Sequence, residues 1–364
     1  MQGIDLSSPI LTEDMEHIFA SRRHWDEFRG CGIYISGAGG MIGSYLSTFL
    51  CYLNETRRFC IEIYAGIRSA PKAHARFGAL LEKPYFHVVS GDVTEPFDKA
   101  LTGGARLDYV IHAASPASPQ FYGSNPVETL LPNVTGTHQL LDIARKEGVK
   151  ALLFISSGSV YGDVSGKEAV DEGSVGQLDF LYGGNVYAEA KRCGEALCKA
   201  YSTEYGVPAK MARVCHCYGP TMDFEGDKRV FSEFVKNIVR GEDIEMKSSG
   251  EAKRPFCYMS DMISGLLYIL LDGESGEPYN VANCREFVSI RKLANTLAAL
   301  YSREGIKVVL CTRESSPGYL PQKDAISTCP STAKLERLGW KPAVSLEEGF
   351  SRTVEYIRHT RNIR

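Results

Sequence analysis

A tyrosine and a lysine four residues apart, Tyr187 and Lys191, form the pair in this sequence that is best suited to acid–base chemistry. Residues at that spacing lie one above the other on a helix, so the lysine ammonium would stand beside the phenol. A neighbouring cation favours the ionised phenol and lowers a pKa that is about 10 for a free tyrosine. A phenol tuned in this way can take a proton from a hydroxyl while a nicotinamide takes the hydride, although the pair alone is a weak signal.

A glycine-rich turn is the place where such a nicotinamide cofactor would be held. Gly37, Gly40 and Gly43 follow an apolar run and come at the start of a helical pattern, in which Met41 and Ile42 form the first turn. Glycines let the backbone turn sharply and approach a pyrophosphate, whose charge then lies at a helix N-terminus. This context predicts a dinucleotide-binding turn, although its spacing differs by one residue from the commonest fingerprint.

The end of the second predicted strand bears on which dinucleotide is bound. A carboxylate commonly binds the ribose 2′-hydroxyl of NAD at that point, whereas this strand ends in Arg68. Arg68 could meet the 2′-phosphate of NADP or be a solvated surface residue, so NAD is the predicted cofactor and NADP the alternative. Asp92 and Val93, just after the third strand, are placed to meet the adenine ring.

Small and hydroxyl-bearing residues follow the fourth and fifth predicted strands. His112, Ala113 and Ala114 end the fourth strand, where they would leave room for the phosphates and nicotinamide ribose of the cofactor. Ser157 ends the fifth strand, at the edge where open α/β sheets bind their ligands. We predict that its hydroxyl hydrogen-bonds the reacting oxygen.

Strands and helices alternate over the first two thirds of the chain, which indicates parallel βαβ units. The predicted strands are 31–36, 61–67, 86–90, 108–113, 151–156 and 209–214. Predicted helices are 41–53, 127–146, the helix of the Tyr–Lys pair and, ahead of the first strand, 13–28. This pattern predicts an α/β fold with a Rossmann-type doubly wound parallel sheet.

After residue 220 the elements become shorter, which predicts a smaller, partly discontinuous C-terminal substrate lobe. Its predicted helices are 230–240, 262–271, 289–301 and part of 335–356, and its strands 244–246 and 279–282. The predicted organisation is an N-terminal arm over 1–29, a dinucleotide-binding domain over 30–215 with a segment near 255–285 returning to it, and a mainly substrate-binding lobe over 216–364. Loops at 223–229 and 311–325 are expected to set substrate selectivity.

The composition is that of an ordinary soluble protein, with 44% hydrophobic and 23% charged residues. A net charge of −3 gives no electrostatic reason to expect nucleic acid or an anionic membrane as partner. No apolar run approaches the ~18 residues that span a bilayer, and no signal-peptide pattern is present. Cys215 and Cys217 flank His216 without a second pair at zinc-like spacing, so we expect no metal and the reduced thiols of a cytoplasmic protein.

The glycine turn, the strand-end residues and the Tyr–Lys pair together resemble the extended short-chain dehydrogenase/reductases, and more narrowly the NAD-dependent nucleotide-sugar epimerase/dehydratase family. Segments that extend the resemblance are 133–137, 213–220, 254–261 and 338–342. The resemblance runs from about residue 31 to the end of the chain. It implies a nucleotide-diphosphate sugar as substrate, transient oxidation at sugar C4, and a homodimer that pairs through the helix of the Tyr–Lys motif and its neighbour.

The resemblance also implies roles for individual residues. Tyr187 would be the base, Lys191 would hold the nicotinamide ribose and lower the tyrosine pKa, and Ser157 would complete the proton relay. Arg254 would meet the substrate diphosphate, a task that suits a guanidinium fork. The other substrate contacts implied are Ser115, Gly158, Ser159 and His216, which stands where the family commonly has asparagine.

Two positions bear on the reaction. Segment 115–119 most resembles the UDP-glucuronate decarboxylases, but those enzymes carry a glutamate where this chain has Ser159. The 4,6-dehydratases carry an Asp-Glu pair where this chain has Gly158 and Ser159, so dehydration is not expected. The Gly-Ser pair is more like the 4-epimerases, and C4 epimerisation is the predicted reaction.

Three alternatives remain open. A nucleotide-linked uronic acid could be decarboxylated, or a 4-keto sugar could be reduced with NADPH. A dinucleotide-sensing regulator without catalysis is the third, but it would be expected to have lost part of the Tyr–Lys–Ser set, and all three residues are present.

Overall fold

The computed structural model describes residues 3–96, 102–117, 119–167, 169–311 and 328–361. The strands, numbered along the chain, are β1 Gly32–Ser36, β2 Glu62–Ile67, β3 Phe86–Ser90, β4 Tyr109–His112, β5 Ala151–Ser157, β6 Ala209–Val214, β7 Cys217–Tyr218, β8 Ile244–Met246, β9 Lys253–Pro255, β10 Cys257–Tyr258, β11 Pro278–Val281, β12 Phe287–Ser289 and β13 Val308–Leu310. The α-helices are α1 Pro9–Ala20, α2 Met41–Arg57, α3 Ala70–Phe77, α4 Pro119–Ser124, α5 Pro126–Leu131, α6 Thr137–Glu147, α7 Val186–Tyr205, α8 Val230–Arg240, α9 Met259–Asp272, α10 Ile290–Leu300, α11 Ala333–Glu336 and α12 Leu346–Thr360.

A parallel sheet with the strand order β11-β6-β5-β4-β1-β2-β3 forms the centre of the molecule. The chain changes direction across the sheet between β1 and β4, and such a switch point is where open α/β sheets bind ligands. The predicted Rossmann-type doubly wound parallel sheet is confirmed. All six strands predicted for the first two thirds of the chain are present, within one or two residues at their ends.

The strands of the sheet are apolar because both faces are covered by helices. In β1, Ile33 and Ile35 pack on one face and Tyr34 on the other, since alternate residues of a strand point to opposite sides. The first face is covered by apolar residues of α2 and α9, and the second by residues of α6 and α7. The strand ends are therefore held rigidly at the edge where the candidate site lies.

The N-terminal helix is shorter than the predicted 13–28. It begins at Pro9, whose missing N–H and fixed φ suit a first turn, and ends at Ala20, where Ser21 N donates to His17 O and Ile18 O. A separate 3₁₀ turn covers Asp26–Phe28. The apolar face of α1 is buried in the main core, through Leu11, Met15 and Ile18.

The helix predicted over 127–146 is divided into three parts. A π-helical turn, Pro132–Gly136, separates α5 from α6. Pro132 has no N–H to donate and its ring clashes with the carbonyl four residues earlier in a regular α-helix, so the helix is interrupted at this point. Turns of this kind occur often at functional sites.

The C-terminal part contains the shorter elements that the sequence indicates. One of them, β11, joins the main sheet beside β6, while β7 pairs with β10, β9 with β12 and β8 with β13. The division into arm, dinucleotide-binding domain and substrate lobe stays a prediction. Of the two predicted selectivity loops, 223–229 is described, whereas 312–325 lies outside the described residues.

The expectation of reduced thiols is wrong for Cys284 and Cys329, which form a disulfide. The two residues are 45 positions apart and the fold brings their Cα atoms to 5.8 Å, a proximity that no local pattern reveals. Among the described residues, no helix has both the length and the apolar character needed to cross a membrane.

Candidate active site

A cavity of about 640 Å³ opens at the carboxyl edge of the sheet. Its walls come from the glycine turn after β1, the ends of β4, β5 and β6, the start of α7, and the segments around β7 and β9. The predicted site residues that line it are Gly40, Met41, Ile42, Gly43, Ala113, Ser115, Ser157, Gly158, Ser159, Tyr187, Lys191, His216 and Arg254. Six others lie outside this lining, namely Gly37, Arg68, Asp92, Val93, His112 and Ala114.

The glycine turn fits a dinucleotide because side chains are excluded from it. Gly37 has a φ of +65°, and a Cβ atom there would lie 2.6 Å from Ala114 Cα. A Cβ on Gly43 would lie 2.5 Å from Gly37 O. Helix α2 begins directly after Gly40, and its first residues line the cavity. Gly40 has no side chain to cap the helix, so its first backbone N–H groups are not capped by a side chain. Backbone N–H groups in this position suit a pyrophosphate.

Arg68 and Asp92 lie together beyond the strand ends. Arg68 Nη1 is 3.7 Å from Asp92 Oδ2, and 63% of the Arg68 side chain is exposed. Asp92 also accepts hydrogen bonds from the backbone and hydroxyl of Thr94, at 3.0 and 2.8 Å. Val93 packs near the π-helical turn, where a Cβ on Gly136 would meet its Cγ1 at 2.9 Å. The cofactor contacts expected of Arg68, Asp92 and Val93 stay predictions.

His112 is an internal support beneath the cavity. Burial lowers the pKa of its imidazole to about 3, and the charge of Lys191 acts in the same direction. The neutral ring has Nε2 at 3.0 Å from Pro132 O and Nδ1 at 2.7 Å from Ser36 Oγ. Nε2–H therefore donates to the carbonyl and Nδ1 accepts from the hydroxyl, which ties β1 and β4 to the π-helical turn.

The three predicted catalytic residues meet at one point of the cavity. Ser157, at the end of β5, lies beside Tyr187 in the first turn of α7, where its side chain acts to lower the pKa of the phenol. Ser159 Oγ donates to Ser157 Oγ at 2.9 Å, which extends the chain of hydroxyls. Lys191 Nζ lies 5.6 Å from the centre of the Tyr187 ring and donates to Ile155 O at 2.5 Å.

The structure contradicts the expectation that Lys191 lowers the pKa of Tyr187. Burial raises the pKa of Tyr187 to about 12, and the hydrogen bond from Ser157 opposes only part of that rise. Lys191 lies over the ring and directs its ammonium to a carbonyl rather than to the phenol oxygen. Its own burial lowers the pKa of Lys191 to about 7. The sequence shows that the two are neighbours but not how deeply both are buried.

Tyr122 was not anticipated from the sequence, and Arg229 was anticipated only as part of the predicted selectivity loop 223–229. The Tyr122 ring stacks on Tyr187 at a centroid distance of 4.8 Å and an angle of 8°, and its hydroxyl donates to Ala117 O at 3.0 Å. Arg229 forms a forked ion pair with Asp227, at 2.6 Å in its shorter contact. The Asp-x-Arg spacing before α8 is a local signal for that pair, whereas nothing local marks Tyr122.

Two guanidinium groups and a neutral imidazole occupy other parts of the wall. Arg76 is buried beside the glycine turn and donates to Thr221 O at 2.6 Å. Arg254, on β9, lines the cavity with His216. Burial lowers the pKa of His216 to about 3, and Arg254 and then Arg229 act in the same direction. Within the described ranges, no group of three His, Cys, Asp or Glu residues could hold a metal ion.

Residues 33–282 match the sequence description of the "NAD dependent epimerase/dehydratase family". UDP-glucuronic acid decarboxylase 6 of Arabidopsis thaliana is 33% identical over 330 residues, which cover 90% of this chain and 88% of that protein. UDP-glucuronic acid decarboxylase 1 of Xenopus tropicalis is 32% identical over 326 residues, covering 90% of this chain and 72% of the relative. The chain belongs to the NAD-dependent epimerase/dehydratase family of enzymes, and NAD is the cofactor in that family's description.

Solved structures agree with the fold. UDP-glucose 4-epimerase of Thermotoga maritima superposes with a TM-score of 0.73 at 23% identity, covering 91% of this chain and 99% of that one. UDP-glucuronic acid 4-epimerase of Bacillus cereus, solved with UDP-glucuronic acid and NAD, gives a TM-score of 0.73 at 23% identity and covers 90% and 99%. The predicted family, fold class and enzymatic nature are thereby confirmed.

Proposed function

We propose that this enzyme epimerises a nucleotide-diphosphate sugar at C4 through transient oxidation by bound NAD. The observation that carries the proposal is a run of hydroxyls, Ser159–Ser157–Tyr187, at the reacting end of the cavity. Carboxylates in the described cavity lining are Asp223 and Asp227, and the latter is paired with Arg229. A site with hydroxyls and a tyrosine base has the groups needed to remove and return the proton of the C4 hydroxyl, and Gly158 and Ser159 stand where an Asp-Glu pair would be needed to expel water.

The residues of the chain divide the proton chemistry between them. Tyr187 Oη takes the proton from the C4 hydroxyl and returns it to the 4-keto oxygen, while Ser157 Oγ hydrogen-bonds the reacting oxygen. A pKa of about 12 keeps Tyr187 protonated at neutral pH, so the phenol must ionise before it can take the proton of the C4 hydroxyl. When bound, NAD would accept the hydride from C4 and return it to the opposite face of the same carbon, and the positive charge of its nicotinamide ring would favour an ionised phenol nearby.

Other lining residues are suited to binding the substrate. Arg254 lines the cavity and supplies a guanidinium fork, the geometry that suits a diphosphate, whereas the fork of Arg229 is bound by Asp227. Tyr122 covers one face of the Tyr187 ring and shields it from water. Ser115 is held by Asn133, whose Nδ2 donates to its Oγ at 3.0 Å, and so presents a fixed hydroxyl to the sugar.

Decarboxylation of a nucleotide-linked uronic acid is the second candidate. It is favoured by the relatives, which are named UDP-glucuronic acid decarboxylases and are 33–34% identical in three cases. Ser159, in place of their glutamate, is the feature that favours epimerisation instead. A 4-keto reductase using NADPH would need Arg68 to bind a 2′-phosphate in place of its contact with Asp92.

Purified enzyme is denatured first, and any released dinucleotide is identified with its redox state. The intact enzyme is then incubated with UDP-glucose or with UDP-glucuronic acid, and the products are followed by ¹H NMR. We expect retained NAD and a C4 epimer with no loss of carbon. Release of CO₂ with a pentose product would establish decarboxylation, and turnover only of 4-keto sugars with NADPH would establish reduction.

We expect a homodimer that pairs through α7 and its neighbouring helices, without nucleic-acid or membrane partners, in the cytoplasm. Light scattering tests the first of these, because a monomeric mass of about 40.1 kDa would contradict it.

A further inference from the structure

A buried ion pair, Glu195 with Arg213, lies directly behind the catalytic cluster. Glu195 follows Lys191 by one turn of α7, so Tyr187, Lys191 and Glu195 share one face of the helix. Arg213, on β6, donates through Nη2 to Glu195 Oε2 at 2.7 Å and through Nε to Oε1 at 2.9 Å. This is the forked geometry that gives charge-assisted hydrogen bonds their direction.

The same carboxylate also holds the end of β5. Ser156 Oγ donates to Glu195 Oε1 at 2.5 Å, and Ser156 directly precedes Ser157. Arg213 is itself fixed, because its Nη1 donates to Glu172 O at 2.8 Å and its guanidinium lies 4.9 Å from the centre of the Tyr161 ring. Glu195 is therefore held by side chains from two strands, one turn of α7 after Lys191.

The charge of Glu195 acts on a lysine that burial disfavours as a cation. Burial lowers the pKa of Lys191 to about 7, and the charge of Glu195 opposes that shift. The other titratable or charged groups around the two residues are Tyr187 and Cys198 on α7, His112 on β4 and Arg213 on β6. Because the pKa of His112 is about 3, its ring is neutral near pH 7.

We propose that Glu195 is a positioning residue that keeps Lys191 in its ammonium form and fixes the strand end that carries Ser157. The consequence for turnover rests on the proposed roles of Lys191 and Ser157. The effect on the charge of Lys191 does not, and it can be measured without any substrate.

The test compares the native enzyme with Glu195→Gln, which removes the charge at nearly constant shape. Each protein is acetylated briefly with acetic anhydride between pH 5 and pH 11, and modification of Lys191 is quantified by peptide mass spectrometry. We expect the midpoint for Lys191 to fall by about 1 pKa unit in Glu195→Gln. Glu204 is an exposed glutamate on the same helix. Glu204→Gln is therefore the matched control, and it should leave the midpoint for Lys191 unchanged.

Glu195→Asp provides the conservative comparison. It keeps the charge but moves it away from Lys191, so its midpoint lies between those of the native enzyme and Glu195→Gln. If Glu195→Gln does not fold, as judged by circular dichroism, the Asp variant alone must still show a downward shift. An unchanged midpoint in the folded variant overturns the proposal.

A second measurement separates charge from general damage. Once a substrate is known, the pH profile of kcat should shift in Glu195→Gln by the same amount as the lysine midpoint, with Glu195→Asp in between. A uniform loss of rate without a shift would assign Glu195 a purely structural role. If labelling shifts but no substrate is turned over by the native enzyme, the proposed function fails while the role of Glu195 stands.

Discussion

Two buried polar clusters in this molecule are built in opposite ways. Around Asp14, which is fully buried, Tyr45 and Tyr258 both donate to one carboxylate oxygen, and Arg352 Nη1 donates to the other at 2.9 Å. Around Tyr187, by contrast, the hydroxyls contact one another and open on to a cavity.

The difference shows how the protein separates support from chemistry. The Asp14 cluster joins α1, α2, β10 and α12, and its hydrogen-bonding groups are used within the protein, as buried polar networks that stabilise a fold require. The Tyr187 cluster lines the cavity, so its hydroxyls can also hydrogen-bond a ligand. Burial raises the pKa of Tyr187 and lowers that of Lys191. Substitutions in the first cluster should change stability, and substitutions in the second should change turnover.

Tyr187→Phe gives the largest expected effect on the open cluster. Loss of the phenol oxygen should lower turnover by about 10³-fold, as general acid–base groups contribute on that scale, while the melting temperature stays the same. Turnover and thermal unfolding are measured on the same preparation. Tyr205→Phe, at the exposed end of the same helix, serves as control. Native-level turnover in Tyr187→Phe would remove Tyr187 from the mechanism.

Asp14→Ala tests the closed cluster. Two buried phenol hydroxyls lose their acceptor and Arg352 loses a partner, so the free energy of unfolding should fall by about 3 kcal/mol. Urea unfolding measures the change, and kcat of the folded variant should be retained. Asp26→Ala, at an exposed pair with Arg29, should cost less than about 1 kcal/mol. A similar cost for both would contradict the support role.

The pH dependence of stability sharpens the comparison further. Burial raises the pKa of Asp14 to about 6, so the folded state binds its proton more tightly than the unfolded state does. A hydrogen bond to Asp261 raises the pKa of His17, which acts in the same direction. The contribution of Asp14 to the free energy of unfolding should therefore fall by about 2 kcal/mol as the pH rises from 4 to 7. Urea unfolding across this range should show a flatter dependence in Asp14→Asn, and an equally steep one would exclude Asp14 as the source.

Arg68→Ala has the smallest expected effect on the protein itself, because its ion pair is exposed. If Arg68 binds a 2′-phosphate, the variant should bind NADP about tenfold more weakly and NAD almost unchanged. Isothermal titration with each dinucleotide measures both affinities, with Arg106→Ala as the exposed control. Equal changes for NAD and NADP would leave Arg68 without a role in cofactor choice.

Features with a local signal were predictable from the sequence. The strands of the sheet follow from apolar runs, and the glycine turn follows from its position between a strand and a helix. Tyr122 was missed because its stacking on Tyr187 depends on how α4 packs against the start of α7. The predicted shift of the Tyr187 pKa was wrong in direction. The helical spacing identifies Lys191 as a neighbour, but it does not show how strongly burial desolvates the phenol.

The N-terminal helix has a practical consequence for anyone who truncates this chain. The family match begins at residue 33, yet α1 contributes Leu11, Met15 and Ile18 to the main core and Asp14 to the closed cluster. A shortened protein cut at the edge of the family match would expose the apolar surfaces of α2 and α9 that α1 covers. Such a protein should aggregate on expression, so the unit that folds is larger than the unit that sequence similarity outlines.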